Sequence, residues 1–136
     1  MPRNPTPHPT DVELQILQVL WQRGPSTVRE VHNALAVNRD TGYSTTLKMM
    51  QVMREKRLLV RDDSVRPQRY EAAEGQDQTQ LHMVDDLIQK AFRGSAEKLL
   101  VRLLSSKRVS ADELAEMQKL IEDARRAGKK KGGNQS

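Results

Sequence analysis

Gly42-Tyr43-Ser44-Thr45-Thr46-Leu47-Lys48-Met49-Met50-Gln51-Val52-Met53-Arg54-Glu55-Lys56 is the stretch whose reading decides the fold. Leu47, Met50 and Met53 recur every three residues, with Met49 beside them, and so share one apolar face at helical period. Ser44, Thr45, Lys48, Gln51 and Glu55 fall largely on the opposite face. Its first two turns hold hydroxyls, an ammonium and an amide, and the carboxylate comes only at the end. Groups of that kind bond base edges and phosphate oxygens. A plain amphipathic helix with a solvated polar face would show the same division, so the neighbouring segments have to decide.

Upstream, Thr10-Asp11-Val12-Glu13 has the form of a capping box. It opens a helix with Leu14, Ile16, Leu17, Leu20 and Trp21 at helical spacing, which Gly24-Pro25 stops. Ser26 or Thr27 caps a second helix, with Thr27 and Glu30 as another box and Val28, Val31, Ala34 and Leu35 as the buried side. Val37 to Gly42 is a polar turn into the third helix. Downstream the period changes. Leu58-Leu59-Val60-Arg61 and Gln68-Arg69-Tyr70-Glu71-Ala72 are short runs of strand type around the turn residues Asp62 to Pro67. Three helices followed by such a hairpin make a winged helix-turn-helix, in which the third helix reads the major groove. A hairpin that serves only packing is the competing reading.

From Gln76 onward the pattern is helical. Leu81, Val84, Leu87, Ile88, Ala91 and Phe92 form one stripe, which Gly94 interrupts. Ser95 caps a short helix carrying Leu99, Leu100, Leu103 and Leu104. Ser110-Ala111-Asp112-Glu113 is a third box, before Leu114, Met117, Leu120, Ile121 and Ala124. Ala127-Gly128 is expected to end that helix, leaving Lys129 to Ser136 as a charged tail. Three amphipathic helices need something to cover their apolar faces, and a second copy of the segment is the natural partner. The expected architecture is mostly α: a flexible arm at 1–9, a winged helix at 10–75, a helical dimerisation region at 76–127, and a disordered basic tail at 128–136. The dimer contacts fall on Leu87, Ile88, Leu99, Leu103, Leu114, Met117, Leu120 and Ile121.

Composition narrows the chemistry. The chain has 136 residues, no cysteine, 36% hydrophobic residues and four aromatic ones, Trp21, Tyr43, Tyr70 and Phe92. Disulfides, thiolate metal sites and a cysteine nucleophile are excluded. No apolar run approaches the ~18 residues of a spanning helix, and the proline-rich start lacks a signal-peptide core, so a soluble, cytoplasmic protein is expected. The net charge of +5 is placed unevenly. Met1 to Gly42 carries four basic and four acidic residues. Tyr43 to Arg69 carries seven basic (Lys48, Arg54, Lys56, Arg57, Arg61, Arg66, Arg69) against three acidic (Glu55, Asp62, Asp63). A local positive stripe suits a polyanion. His8, His32 and His82 lack metal-ligand spacing, and Asp62-Asp63 and Asp85-Asp86 are neighbours that point apart. No cofactor, metal or enzymatic chemistry is expected.

Taken in order, these pieces resemble the BlaI/MecI, or penicillinase-repressor, family of bacterial transcription factors, which includes copper-responsive repressors. The resemblance runs from about Thr10 to about Ala124. It is carried by Glu13 to Trp21, Ser26 to Val31, Gly42 to Met50, Glu55-Lys56, the wing closing on Tyr70, Phe92-Arg93-Gly94-Ser95 and Ser110 to Leu114. It implies a winged-helix dimer that represses by occupying a palindromic operator, typically with TACA/TGTA-type half-sites. The family's reading positions fall on Ser44, Thr45, Lys48 and Gln51, and its wing contacts near Arg66 and Arg69. Arg54 and Lys56 join the two wing arginines as expected phosphate contacts.

Three departures stand out. Members that answer a beta-lactam through a membrane sensor protease pathway are cut between Asn and Phe in the helix after the glycine turn. Leu100-Val101-Arg102-Leu103-Leu104 stands there instead. The copper-responsive members carry Cys-x-Cys motifs, which this chain lacks. Where the family usually ends the reading helix on Gly, this chain has Arg57, and a left-handed arginine would cost on the order of 1 kcal/mol. Two other classes compete with an operator-binding dimer. One is a winged-helix protein-interaction module without DNA binding. The other is a basic C-terminal helix lying on an anionic membrane without insertion.

Overall fold

The computed structural model describes residues 8–36, 41–106 and 108–135, with 129–135 as backbone alone. The order is α1 (Asp11–Arg23), α2 (Val28–Ala36), α3 (Tyr43–Glu55), β1 (Leu59–Asp62), β2 (Arg69–Ala72), α4 (Gln76–Phe92), α5 (Ala96–Ser105) and α6 (Ala111–Gln135). The arm at 1–7 and most of the turn before α3, at 37–40, lie outside the described residues, as does Lys107 in the link before α6. The chain divides into two compact units, Met1–Asp86 and Leu87–Ser136, and the division falls inside α4 instead of at its start.

The first unit is built on the caps seen in the sequence. Thr10 Oγ1 accepts the Glu13 amide at 3.2 Å while the Thr10 amide donates to the Glu13 carboxylate at 2.9 Å. Thr27 and Glu30 repeat the arrangement at 3.1 and 2.9 Å, so Thr27, not Ser26, caps α2. Ser26 has a different task. Its backbone exchanges two hydrogen bonds with Tyr70 of β2, at 2.9 and 2.7 Å, and this ties the α1–α2 turn to the wing. β1 and β2 pair antiparallel, with Leu59 opposite Ala72 and Asp62 opposite Arg69. Trp21 Nε1 donates to the Glu74 carbonyl at 2.9 Å and fixes the exit of the wing to the end of α1.

Ile16, Leu17 and Leu20 of α1, Val28 and Val31 of α2, and Met50 and Met53 of α3 form the core with Leu58, Leu59 and Tyr70. α1 packs on α2 and β2, α2 on α3, and α3 on β1. Between α3 and β1 the chain turns through Arg57 at φ 69°, the left-handed conformation that the departure from Gly implied. The Leu58 amide then reaches back to the Met53 carbonyl at 2.9 Å and closes the helix end.

A partly buried ion pair links α1 to the residue that follows α3. Glu13 is only 4% exposed, and Lys56 Nζ sits 2.8 Å from its Oε2. Burial pushes the Glu13 carboxyl up. The Lys56 hydrogen bond, the Thr10 amide and the Lys56 charge outweigh it and hold the carboxyl below its ordinary value.

In the second unit Ser95 caps α5 by accepting the Lys98 amide at 3.1 Å, and Ser110 Oγ accepts the Glu113 amide at 3.1 Å. Arg93 and Gly94 both take positive φ and end α4. One expectation fails here: α6 does not end at Ala127-Gly128 but continues to Gln135. Gly128 does not adopt the left-handed conformation that caps a helix. A glycine that stays helical costs about 1 kcal/mol without stopping the chain, and the lysines after it in the sequence favour helix.

The ion pair yields a pH-dependent prediction. Lys56→Met leaves a buried carboxylate without its cation. The expected cost at pH 7 is about 1–2 kcal/mol, below the ~3–5 of a wholly buried pair because the lysine side chain is 34% exposed. The folded-state carboxyl is depressed, so its contribution is present above the ordinary value of 4.5 and is lost as pH falls through the folded value. Urea unfolding followed by Trp21 fluorescence should show the mutant's deficit shrinking below pH 4.5; a deficit independent of pH contradicts the pairing.

Candidate nucleic-acid interface

Burying Thr46, Met50 and Met53 fixes how α3 is rotated about its axis. Ser44, Lys48, Gln51 and Glu55 consequently form an exposed stripe, with Thr45 beside its first turn. Among the described residues, none of Ser44, Thr45, Lys48 and Gln51 makes a side-chain hydrogen bond or ion pair. Gly42 caps α3 without a side-chain bond, so the positive end of the helix dipole faces outward beside the two hydroxyls.

The start of α3 is held from α2. Thr46 is 2% exposed, and its hydroxyl lies 3.0 Å from His32 Nδ1. The His32 ring meets Tyr43 edge to face, with centroids 5.7 Å apart and planes at 82°. Arg29 lies over the same tyrosine ring, 4.0 Å from its centroid. A small cavity beside this cluster is lined by Val12, Ile16, Leu35 and Met49 as well as His32 and Thr46. The helical pattern of α2 gives Arg29 and His32 no positioning role, and the structure adds both. His32 and Tyr43 are eleven positions apart in sequence, and no local pattern announces such a contact.

The expected phosphate contacts separate into two groups. Arg54 is exposed near the end of α3, and Arg66 is exposed on the wing, where its guanidinium donates to the Asp63 carbonyl at 2.9 Å. Arg69 is exposed but sits 3.7 Å from Glu30 and 3.5 Å from the Pro25 carbonyl. The Thr27 amide holds the Glu30 carboxyl below its ordinary value against the push from burial, helped by the Arg69 and Arg23 charges. Lys56, also expected at a phosphate, pairs with Glu13 at 2.8 Å. Arg61 is bonded to Asp63. Each of these pairings joins residues whose separation or turn geometry the helical pattern does not encode.

None of the eight positions expected at a dimer contact is buried. Leu87, Leu103, Leu114, Leu120 and Ile121 are exposed, Leu120 at 66%, and Ile88, Leu99 and Met117 are half-buried. α5 and α6 do not pack extensively on each other among the described residues. No described helix is long and apolar enough to cross a membrane. Among the described residues no group of three or more His, Asp or Glu side chains is placed to hold a metal ion.

Comparison with known proteins matches residues 9–123 to the penicillinase repressor family. The transcriptional regulator BlaI of Mycobacterium tuberculosis, in two strains, is 39% identical over 107 residues, which cover 76% of this chain and 75% of the relative. Among solved structures, a MarR family protein from Bacillus stearothermophilus shows a TM-score of 0.47 at 21% identity, over 88% of this chain and 75% of that one.

The anchoring of α3 can be tested as a coupling. Thr46→Val removes the hydroxyl that His32 bonds and should cost about 1 kcal/mol. The double variant Thr46→Val with His32→Ala should cost less than the sum of the two single changes. Additive costs in urea unfolding would mean that the two side chains do not act together.

Proposed function

This chain belongs to the penicillinase repressor family of transcriptional regulators, and from that premise we propose that it represses transcription as a homodimer bound to a palindromic operator in double-stranded DNA. The observation that carries this reading is the unpaired stripe of α3. Ser44, Thr45, Lys48 and Gln51 stand outward together while the opposite side of the same helix is locked in the core. Hydroxyl, ammonium and amide groups at i, i+1, i+4 and i+7 can follow a major-groove edge. Arg54, Arg66 and Arg69 then neutralise phosphates on either side, and each such contact releases a counterion.

The apolar positions of the second unit support the two-fold partner. A face that leaves Leu120 and Ile121 in water on one chain is covered when an identical face meets it. A repressor of this kind works in the cytoplasm. A membrane sensor protease pathway is a candidate input, and the Asn–Phe pair cut in such family members is replaced here by Leu100 to Leu104 within α5.

Two measurements test the proposal. Lys48→Ala with Gln51→Ala should weaken binding to an inverted-repeat TACA/TGTA duplex by about 1–3 kcal/mol for each base-edge interaction removed, with thermal stability unchanged. Equal anisotropy titrations for the wild type and the double variant would exclude these two readers. Leu114→Glu with Leu120→Glu should sediment as a monomer and bind the duplex far more weakly. If that variant still sediments as a dimer, the interface lies elsewhere.

A further inference from the structure

Arg29 sits in the first turn of α2, and its guanidinium carbon is 4.0 Å from the centre of the Tyr43 ring. Tyr43 is the first residue of α3, and Ser44 and Thr45 follow it directly. The Tyr43 ring also meets the His32 ring edge to face, so two side chains of α2 contact it.

Arg23 and Arg69 both face Glu30, at 3.8 and 3.7 Å. Arg29 is exposed, and among the described residues no carboxylate lies within ion-pair distance of it. Stacking on an aromatic face uses none of the five N–H donors of a guanidinium, which radiate in its own plane. That plane remains available for a two-pronged acceptor such as the pair of non-bridging oxygens of a phosphate.

We propose that Arg29 is a phosphate contact on the operator backbone, preset by Tyr43. The inference rests on the DNA-binding reading above. A reading helix that contacts base edges with its first turns brings its own start close to the rim of the groove, where the phosphates run. A cation held against the first residue of α3 is at that rim. Its role is to fix the register of the helix on the duplex, independent of sequence, while Lys48 and Gln51 discriminate.

The test uses the full chain and three variants, Arg29→Ala, Arg29→Met and Arg29→Lys, on an inverted-repeat TACA/TGTA duplex and on a shuffled duplex of the same length. Methionine keeps apolar packing on the ring without charge, and lysine keeps the charge. The alanine and methionine variants should bind both duplexes more weakly by the same factor, about three- to tenfold near physiological salt. Their plots of log affinity against log salt should be shallower by about 0.9, while Arg29→Lys keeps the wild-type slope. An unchanged slope in Arg29→Met overturns the proposal and leaves Arg29 a packing residue. A weakening confined to the inverted repeat also overturns it, since that marks a base contact. A wild-type chain that binds neither duplex sinks the operator reading, and this inference with it.

Discussion

A helix has one rotation about its axis, and in α3 the core sets it. Met50 and Met53 are wholly removed from water, and Thr46 is nearly so. Burial of the two thioether chains alone is worth roughly 1.5–3 kcal/mol each. Turning α3 by a fraction of a turn to shelter Lys48 or Gln51 would forfeit that and bury unpaired polar groups. The outward stripe is therefore a consequence of packing, enforced by energies larger than any single polar contact on the surface. Holding the helix at both ends sharpens the constraint: His32 bonds Thr46 near the start, and Glu13 holds Lys56 just beyond the end.

The same geometry sorts the positive charges. Lys56 ties α1 to the end of α3 through Glu13, Arg61 pairs locally with Asp63 on the wing, and the exposed Arg69 lies 3.7 Å from Glu30. Lys48 and Arg54 are exposed on α3, and Arg29 is exposed on α2 against Tyr43. A count of basic residues between Tyr43 and Arg69 overstates the charge available to a polyanion, because part of it is already compensated inside the fold. What matters for an anionic partner is which cations are uncompensated and where they stand. Those on α2 and α3 surround the beginning and the far end of the outward stripe.

Much of the first unit is legible in the chain itself. Thr10 with Glu13 and Thr27 with Glu30 announce two helix starts by local chemistry, and the three-residue recurrence of Leu47, Met50 and Met53 marks the buried side of α3. The strand runs on either side of Asp62 to Pro67 are readable from period and turn composition. Long-range pairings are not. Nothing near Lys56 in sequence points to Glu13, forty-three positions earlier, and nothing near Ser26 points to Tyr70. The end of α6 is misleading in sequence because Gly128 looks like a stop. Glycine terminates a helix only where the backbone turns left-handed, and there it does not. Arg57 shows the converse, a left-handed position occupied by a residue that bears the strain.

The second unit draws its meaning from what it leaves open. Leu87, Leu103, Leu114, Leu120 and Ile121 present more apolar side chain to water than a helix with a finished partner would. On the proposed homodimeric reading, DNA recognition and self-association would be one property, since two identical copies of α3 would impose two-fold symmetry on the duplex. The most direct measurement is selection of duplexes bound by the full chain from a random pool. The account predicts enrichment of inverted half-sites whose centres lie about one helical turn, or a multiple of it, apart. Recovery of a single unrepeated half-site, or no enrichment at all, would contradict it.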